Sequence, residues 1–307
     1  MPQIASQEQA SWFQASARQR VTGLLDADSF VEFLGPAERI QSPHLGLFDL
    51  PRAFDDGVVI GRGTLGGKAI LLAAQEGQFM GGTFGEVSGA KILGLLRAAR
   101  DHLELPRIVL LLLDSGGVRL QEANAGELVV AEVMRAIAEV RFCGVAVLAL
   151  VGGRAGAFGG AGLTAGVCSR IIISEQGRTG VTGPEVIETN KGVEEFDSQN
   201  KALVWSVVGG KTRRLIGGAD TFADDSMDGF RRAAIASLDK VPAFDLEMLQ
   251  AEQLRLATRH SHLGACADAI SMWRTLGITN PEAVRDMNDT EFRALADLLK
   301  EANHAAR

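Results

Sequence analysis

Tyrosine is absent from this chain of 307 residues, and cysteine is scarce, at three. Cys143, Cys168 and Cys266 lie far apart, in or beside apolar stretches. Such placement argues against disulfides and cysteine metal sites, and it predicts small buried hydrophobes of a reducing compartment. Positive charge is also short, with 31 Lys and Arg against 38 Asp and Glu for a formal net charge of −7. No basic field is left to neutralise phosphates, which excludes nucleic acid as the main partner. The small clusters at 211–214 and 231–232 read as solvated faces. No apolar run approaches the roughly 20 residues that span a bilayer, and the first residues lack the basic and apolar regions of a signal peptide. The expectation is a cytoplasmic protein with no membrane partner.

Other absences narrow the chemistry. His44, His102, His260, His262 and His304 show no metal-ligand spacing, so each reads as structural or surface, and no metal is expected. A Gly-x-Ser-x-Gly elbow is missing, which makes Ser115 and Ser169 poor nucleophiles. There is no Walker loop either, since Gly81-Gly-Thr-Phe-Gly85 lacks the Gly-Lys-Ser/Thr ending of a nucleoside triphosphate site.

Glycine, by contrast, is abundant, at 36 residues, against an average usage of about 7%. Much of it sits in pairs, which mark tight turns. Residues 110–123 (LLLLDSGGVRLQEA) and 150–169 (LVGGRAGAFGGAGLTAGVCS) each run apolar, stop at paired glycines and pass into a helical pattern. A buried strand hands over to a helix in this way, through a turn of unusual φ/ψ that leaves bare amides. One such turn is only a turn. Two in succession would bring an N–H from Gly116-Gly117 beside one from Gly159-Gly160, forming an oxyanion hole for a thioester carbonyl becoming an enolate. Each donor in such a hole is worth about 3–4 kcal/mol in the transition state.

Taken in order, residues 6–26 carry helical spacing, followed by a short element at 30–34 and a polar loop over 35–56. Strand-like runs at 57–64 and 68–75 are joined by Leu65-Gly66-Gly67, a hairpin signature. The glycine-rich 79–86 opens a helix to about His102. Apolar strands are predicted at 107–113, 144–151 and 169–174, with helices over 121–140 and from the second glycine turn to about Gly166. Residues 178–181 lead to Gly183-Pro184-Glu185, where Pro184 suits a first helical turn. Strands alternating with helices predict an α/β fold of parallel βαβ units with right-handed crossovers. Residues 219–307 show amphipathic helical spacing and no clear strand, for example at 230–238, 246–257 and 291–302. They are expected to form a helical C-terminal extension packed on the domain of residues 1–218.

Three blocks resemble the carboxyltransferase family, whose best-known bacterial member is the acetyl-CoA carboxylase β subunit. They are Phe79-Met-Gly-Gly-Thr-Phe-Gly-Glu-Val-Ser-Gly-Ala-Lys91, Ser115-Gly-Gly-Val-Arg-Leu-Gln-Glu-Ala123 and Thr182-Gly-Pro-Glu-Val-Ile-Glu188. With Ala17-Arg-Gln-Arg20, Ser42-Pro-His44 and Asp55-Asp-Gly-Val58, the fuller likeness is to the β subunits of biotin-independent malonate decarboxylases. It covers approximately residues 10–240. The resemblance implies a crotonase-like ββα spiral and decarboxylation of a malonyl thioester to an acetyl thioester and carbon dioxide. It also implies a γ subunit, an acyl carrier protein and an acyl carrier protein transferase (α) subunit as partners. No cofactor is expected on this chain, because the thioester rides on the CoA-derived prosthetic group of the carrier. The acetyl-CoA carboxylase β subunit typically carries a four-cysteine zinc ribbon at its start, whereas no cysteine precedes Cys143. A biotin-dependent relative stays open.

Roles follow from that resemblance. Gly116 and Gly117 are the expected first donor, with Gly159 and Gly160 as the second donor or a close-packed wall. The loop Gly81-Gly82 would face the pantetheine arm, where only glycine lets the backbone come so near. Arg154 either grips the free carboxylate or is a surface arginine. Ser115 and Gly183 complete the candidate substrate-binding set. Arg119, Gln121 and Glu122 either orient the turn or form a capping and salt-bridge set, and helix-dipole complementation is enough to explain Glu185 and Glu188. No donor for the enolate's proton is evident. A carrier-docking scaffold and a crotonase-like hydratase or isomerase are the alternatives, the latter normally needing placed carboxylates.

Overall fold

Strands without polar alternation must be covered on both faces, and that requirement sets the layers of this protein. The computed structural model describes residues 10–305. In chain order the elements are α1 (Ala17–Leu24), β1 (Val31–Phe33), β2 (Val58–Leu65), β3 (Lys68–Gln75), α2 (Glu86–Asp101), β4 (Ile108–Leu113), α3 (Ala125–Phe142), β5 (Ala146–Val151) and β6 (Ala157–Phe158). They continue with α4 (Gly160–Val167), β7 (Arg170–Ser174), β8 (Thr179–Gly180), α5 (Pro184–Lys191), α6 (Lys201–Val208), α7 (Gly210–Leu215) and β9 (Thr221–Ala223). Helices α8 (Met227–Ser237), α9 (Leu246–Leu263), α10 (Ala269–Thr275) and α11 (Asp289–Ala305) complete the described chain.

The main sheet has the order β1-β2-β3-β4-β5-β7-β9. Its first three strands are antiparallel, and every pairing from β3 to β9 is parallel. Successive side chains of a strand point to opposite faces. Accordingly Val109, Leu111, Leu113, Val147, Ala149 and Val151 join one core beneath α2 and α3. Leu110, Leu112, Leu148 and Leu150 join another beneath α1 and α8, where Trp12 stacks on Phe230 at 4.1 Å.

A second, shorter layer lies beyond the ends of the long strands. Phe84 bridges Val118, Ser115 bridges Ala157, and β6 pairs with β8, all in parallel. Each turn of the chain therefore supplies a long strand, a short strand and a helix. This is the crotonase-like ββα spiral that the family resemblance implies, and it places the residues after β4 directly beside those after β5.

Several expectations need correction. Residues 6–9 of the predicted first helix lie outside the described residues, and the helix itself starts only at Ala17. Ser16 sets that start as its cap, and Gln19 bonds back to the Ser16 amide at 2.9 Å. The helix expected over 121–140 begins later, because a single tight turn at 120–122 ends in Ala123 with φ +47°. Past residue 218 a strand does occur: β9 pairs with β7 at the sheet edge. Three residues are too few to show a period of two against the surrounding helical pattern. The C-terminal helices also reach the core, with Phe292 packed on Phe222 of β9 at 4.5 Å. Cys168 is buried, and burial pushes its thiol up to about 12. Cys143, however, is exposed at the end of α3, and Cys266 is half-buried. No described helix is long and apolar enough to cross a membrane.

At the start of α11, burial first, then the charges of Asp224 and Glu175, lift Asp289 from 3.8 to about 6. A carboxyl raised in this way binds its proton more tightly in the folded chain, so its favourable contribution at low pH is lost as pH rises through about 6. The substitution Asp289→Asn is expected to raise the melting temperature by about 2 °C at pH 8, a modest shift because the group is partly exposed, and to leave it unchanged near pH 4. Thermal unfolding across that pH range checks it.

Candidate active site

Strand β4 ends at Leu113, and Asp114-Ser115-Gly116-Gly117 turns the chain into the short layer. One spiral turn later, Gly159 and Gly160 turn the chain from the short strand β6 into α4. Gly117 adopts φ +130° and Gly159 φ +52°, conformations open to glycine and strained for other residues. A Cβ on Gly117 would lie 3.4 Å from the Phe158 carbonyl and 3.9 Å from the Gly160 nitrogen, and one on Gly159 would lie 3.4 Å from the Gly117 Cα. The two corners touch through main chain alone.

Their amides are not equally free. Gly116 N–H donates to the Gly81 carbonyl at 2.9 Å, and Gly159 N–H to the Val181 carbonyl at 3.1 Å. This corrects the expected donor set, because contacts between neighbouring turns of the spiral already use those two amides. Gly117 N–H meets only the Ser115 hydroxyl, at 3.2 Å. Gly160 is the first residue of α4, and among the described residues its N–H has no acceptor, as befits a helix N-terminus. Gly160 N–H is thus unclaimed among the described residues and Gly117 N–H is held only within its own corner, which leaves these two as the more available donors, while Gly116 and Gly159 tie neighbouring turns together. Both available donors are on buried residues, where water competes poorly and a hydrogen bond to a charged oxygen is strong.

Asp114 anchors the first corner. Its carboxylate accepts from Arg20 Nη1 at 2.7 Å and from the Ala155 amide at 2.7 Å, so it ties β4 to the turn after β5 and to α1. Arg20 and Asp114 side chains are 2% and 3% exposed. Arg20 also donates Nε to the Trp12 carbonyl at 2.9 Å. Three glycines make room for Asp114. A Cβ on Gly77 or Gly153 would sit 2.5 Å or 2.1 Å from its carboxyl carbon, and one on Gly82 only 1.7 Å from its carbonyl oxygen. Gly82 therefore packs on the Asp114 backbone. Gly81 is exposed, and a Cβ there would meet nothing nearer than the Thr83 side chain at 4.0 Å.

A second buried network holds the glycine-rich loop. Arg119 Nη1 pairs with Asp56 at 2.8 Å and Glu122 at 3.0 Å. Glu122 accepts from the Ser42 hydroxyl at 2.6 Å and from the Glu86 amide at 2.6 Å. Burial opposes the charge of Glu122, yet the bonds from Ser42, the Glu86 amide and Arg119 hold it below the ordinary glutamate range. Burial pushes Asp56 above its ordinary value, against the pull of Arg119. Lys91 is pushed down by burial and donates to the Asp55 carbonyl at 2.9 Å. Arg119 and Glu122 pair with each other, as the capping and salt-bridge reading expected, and Glu122 also caps the start of α2 through the Glu86 amide, while Gln121 is exposed.

The remaining candidates fall elsewhere. Ser115 is fully buried and its hydroxyl bonds the Gly117 backbone, so it holds the corner in shape. Arg154 is exposed over the Phe13 ring at 5.9 Å, with no carboxylate partner among the described residues. Gly183 caps α5, its carbonyl taken by the amides of Val186 and Ile187. Glu185 is exposed, and Glu188 accepts from the Ser198 amide at 2.8 Å. Reasoning from sequence missed Asp114 and Arg20 as a pair. The signal was a single carboxylate closing a wholly apolar strand, which demands a buried cation. Among the described residues, no three His, Cys, Asp or Glu side chains gather to hold a metal ion.

A ββα spiral whose adjacent turns set glycine amides side by side belongs to the crotonase-like class. Within it, the carboxyl transferase domain model matches residues 14–246. The chain belongs to the carboxyl transferase family. It is 40% identical over 310 residues to malonyl-S-ACP:biotin-protein carboxyltransferase of Malonomonas rubra, covering 94% of this chain and 96% of that protein. The acetyl-coenzyme A carboxylase carboxyl transferase β subunit of Fusobacterium nucleatum is 31% identical over 185 residues, covering 58% of this chain and 59% of that one. In structure, the chain is similar to a subunit of a Pseudomonas malonate decarboxylase hetero-tetramer solved with malonate. The TM-score is 0.77 and the identity 40%, covering 87% of this chain and 97% of that one.

Removing one partner of a buried ion pair leaves an unpaired charge and costs about 3–5 kcal/mol. Arg20→Met is expected to lose stability on that scale in urea unfolding, and Arg20→Met combined with Asp114→Leu to lose less than Arg20→Met alone.

Proposed function

We propose that this chain is the β subunit of a malonate decarboxylase, converting a malonyl thioester on an acyl carrier protein to the acetyl thioester and carbon dioxide. The observation that carries this reading is the main-chain contact of the two glycine corners, which puts the Gly160 nitrogen 3.9 Å from where a Cβ on Gly117 would sit. As the bond to the free carboxylate breaks, its electron pair moves toward the thioester carbonyl, whose oxygen becomes an enolate. Donors fixed in place for that oxygen stabilise the transition state more than the ground state. Proton transfer to the enolate carbon then completes acetyl formation, the proton coming from water or from a partner chain.

Arg154, free of carboxylate partners among the described residues, is suited to hold the departing carboxylate, and Gly81 to lie along the pantetheine arm. The thioester is carried on the CoA-derived group of the carrier, and this chain contributes no cofactor of its own. Supporting a γ partner is an apolar rim next to the corners. Leu120 is 77% exposed and Val181 65%, and Val181 is the residue whose carbonyl holds Gly159. Apolar surface of this kind marks a protein contact. The carrier protein and the α transferase subunit complete the proposed complex, which we place in the cytoplasm, in keeping with three unpaired cysteines.

The likeness to the Malonomonas rubra enzyme, a carboxyltransferase to a biotin protein, favours a second reading in which the same enolate forms but the carboxyl passes to biotin. Carbon dioxide release from malonyl-CoA and malonyl-carrier, measured with and without the γ subunit, separates these. Release that needs γ and ignores avidin supports the proposal, and release abolished by avidin supports the biotin reading. Gly117→Val, with its strained φ, is expected to lower kcat by at least about 100-fold while carrier binding survives. Unchanged turnover would reduce the chain to a docking scaffold.

A further inference from the structure

A second site is built at the opposite edge of the sheet. The Gly116-Gly117 corner lies beyond the last residue of β4 and touches Gly159-Gly160 after β6, whereas Arg170 and Thr221 are the first residues of β7 and β9, which run parallel to β4. Beside Arg170 and Thr221, a cavity of about 240 Å³ is lined by Arg170, Arg214, Lys240 and Arg293, with Asp220 and Asp297 as the acids. Four cations against two carboxylates leave a surplus of positive charge in a chain whose formal net charge is −7.

The cations differ in how far they are spoken for. Arg293 is tied to Asp224. Arg214 is buried at 9% exposure, yet meets only Asp297, at 3.2 Å, and that carboxylate is 71% exposed. Arg170 gives Nε to the Lys240 carbonyl at 2.5 Å and stands 3.6 Å from Asp220, which leaves one terminal nitrogen free. The Lys240 ammonium has no partner among the described residues. A buried guanidinium with unused donors is costly unless an acceptor reaches it. The Arg214 nitrogens that Asp297 leaves unused are not sealed from solvent, and the Ala236, Ala296 and Phe222 side chains in the cavity lining offer no acceptor, so water holds these donors until an anion replaces it.

We infer that this cavity binds a small oxyanion of two or more negative charges, such as a phosphate group or a short dicarboxylate. Forked guanidinium donors match both chemistries, and the volume admits an ion of that size and not an acyl thioester. The site lies a full strand length from the corners, so its occupant is an effector of stability or assembly and not the reacting substrate.

Melting temperatures of the full chain, alone and in the reconstituted complex, test this in a chloride buffer. Additions are inorganic phosphate, malonate, acetate, and sodium chloride at matched ionic strength, each at about 10 mM, enough to load a weak site. Phosphate, malonate or both are expected to raise the midpoint by about 3 °C, and acetate and chloride by less than about 1 °C. Whichever dianion acts identifies the source. Lys240→Ala, an exposed and structurally tolerant change, is expected to remove at least half of the shift and leave carbon dioxide release unaltered. Arg214→Gln is expected to abolish saturable heat in titration calorimetry. Equal shifts for chloride and the dianions, or an undiminished shift in both variants, would overturn the inference.

Discussion

Where Gly117 faces Gly159, two stretches of main chain pack against one another with no side chain between them, and the rest of the site depends on that contact. It exists because adjacent turns of the spiral put the end of β4 beside the end of β5, and because neither corner carries a Cβ. A methyl group on Gly159 would already press on the Gly117 Cα at 3.4 Å. Close approach also decides which amides are left over. The contacts that hold the turns together consume the N–H groups of Gly116 and Gly159, and leave the Gly117 amide to the Ser115 hydroxyl of its own corner and the Gly160 amide without an acceptor among the described residues.

Buried charge fixes the corners in place. Asp114 and Arg119 flank the first one on either side, each desolvated and each paired, to Arg20 in one case and to Asp56 and Glu122 in the other. Ion pairs of this kind contribute little net stability, since desolvation offsets most of the attraction. They hold geometry instead: a carboxylate with both oxygens engaged leaves its neighbouring backbone few ways to relax. The N-terminal α1, the loop containing Ser42 and Asp56, and the start of α2 are drawn to the site by these bonds. Elements remote in the chain thereby share one rigid support, which is what the proposed oxyanion site needs.

Much of this was legible beforehand. The period-free apolar runs at β4 and β5 identified strands covered on both faces, and the hairpin of β2 and β3 followed from its Gly66-Gly67 turn. The glycine pairs located both corners. Sequence reasoning did not resolve which glycine amides are already bonded, because that turns on hydrogen bonds between spiral turns that are distant in the chain. Nor did it show that the missing Cβ of Gly82 makes room for the Asp114 carbonyl. Strand β9 was hidden for a different reason, being too short to interrupt a helical pattern, and Cys143 is exposed because α3 ends where its surroundings turn to solvent.

Composition and local pattern by themselves determined the class of fold, the position of the two turns and the shortage of basic charge, since these depend on residues near in sequence and on summed charge. Tertiary structure alone decided which glycine amides are bonded between turns, the burial of Ser115, the union of Arg20 with Asp114 and the cationic cavity beside β7 and β9. Each of those is a meeting of groups separated by whole spiral turns, and the distance between such groups is set by packing, which no local pattern encodes.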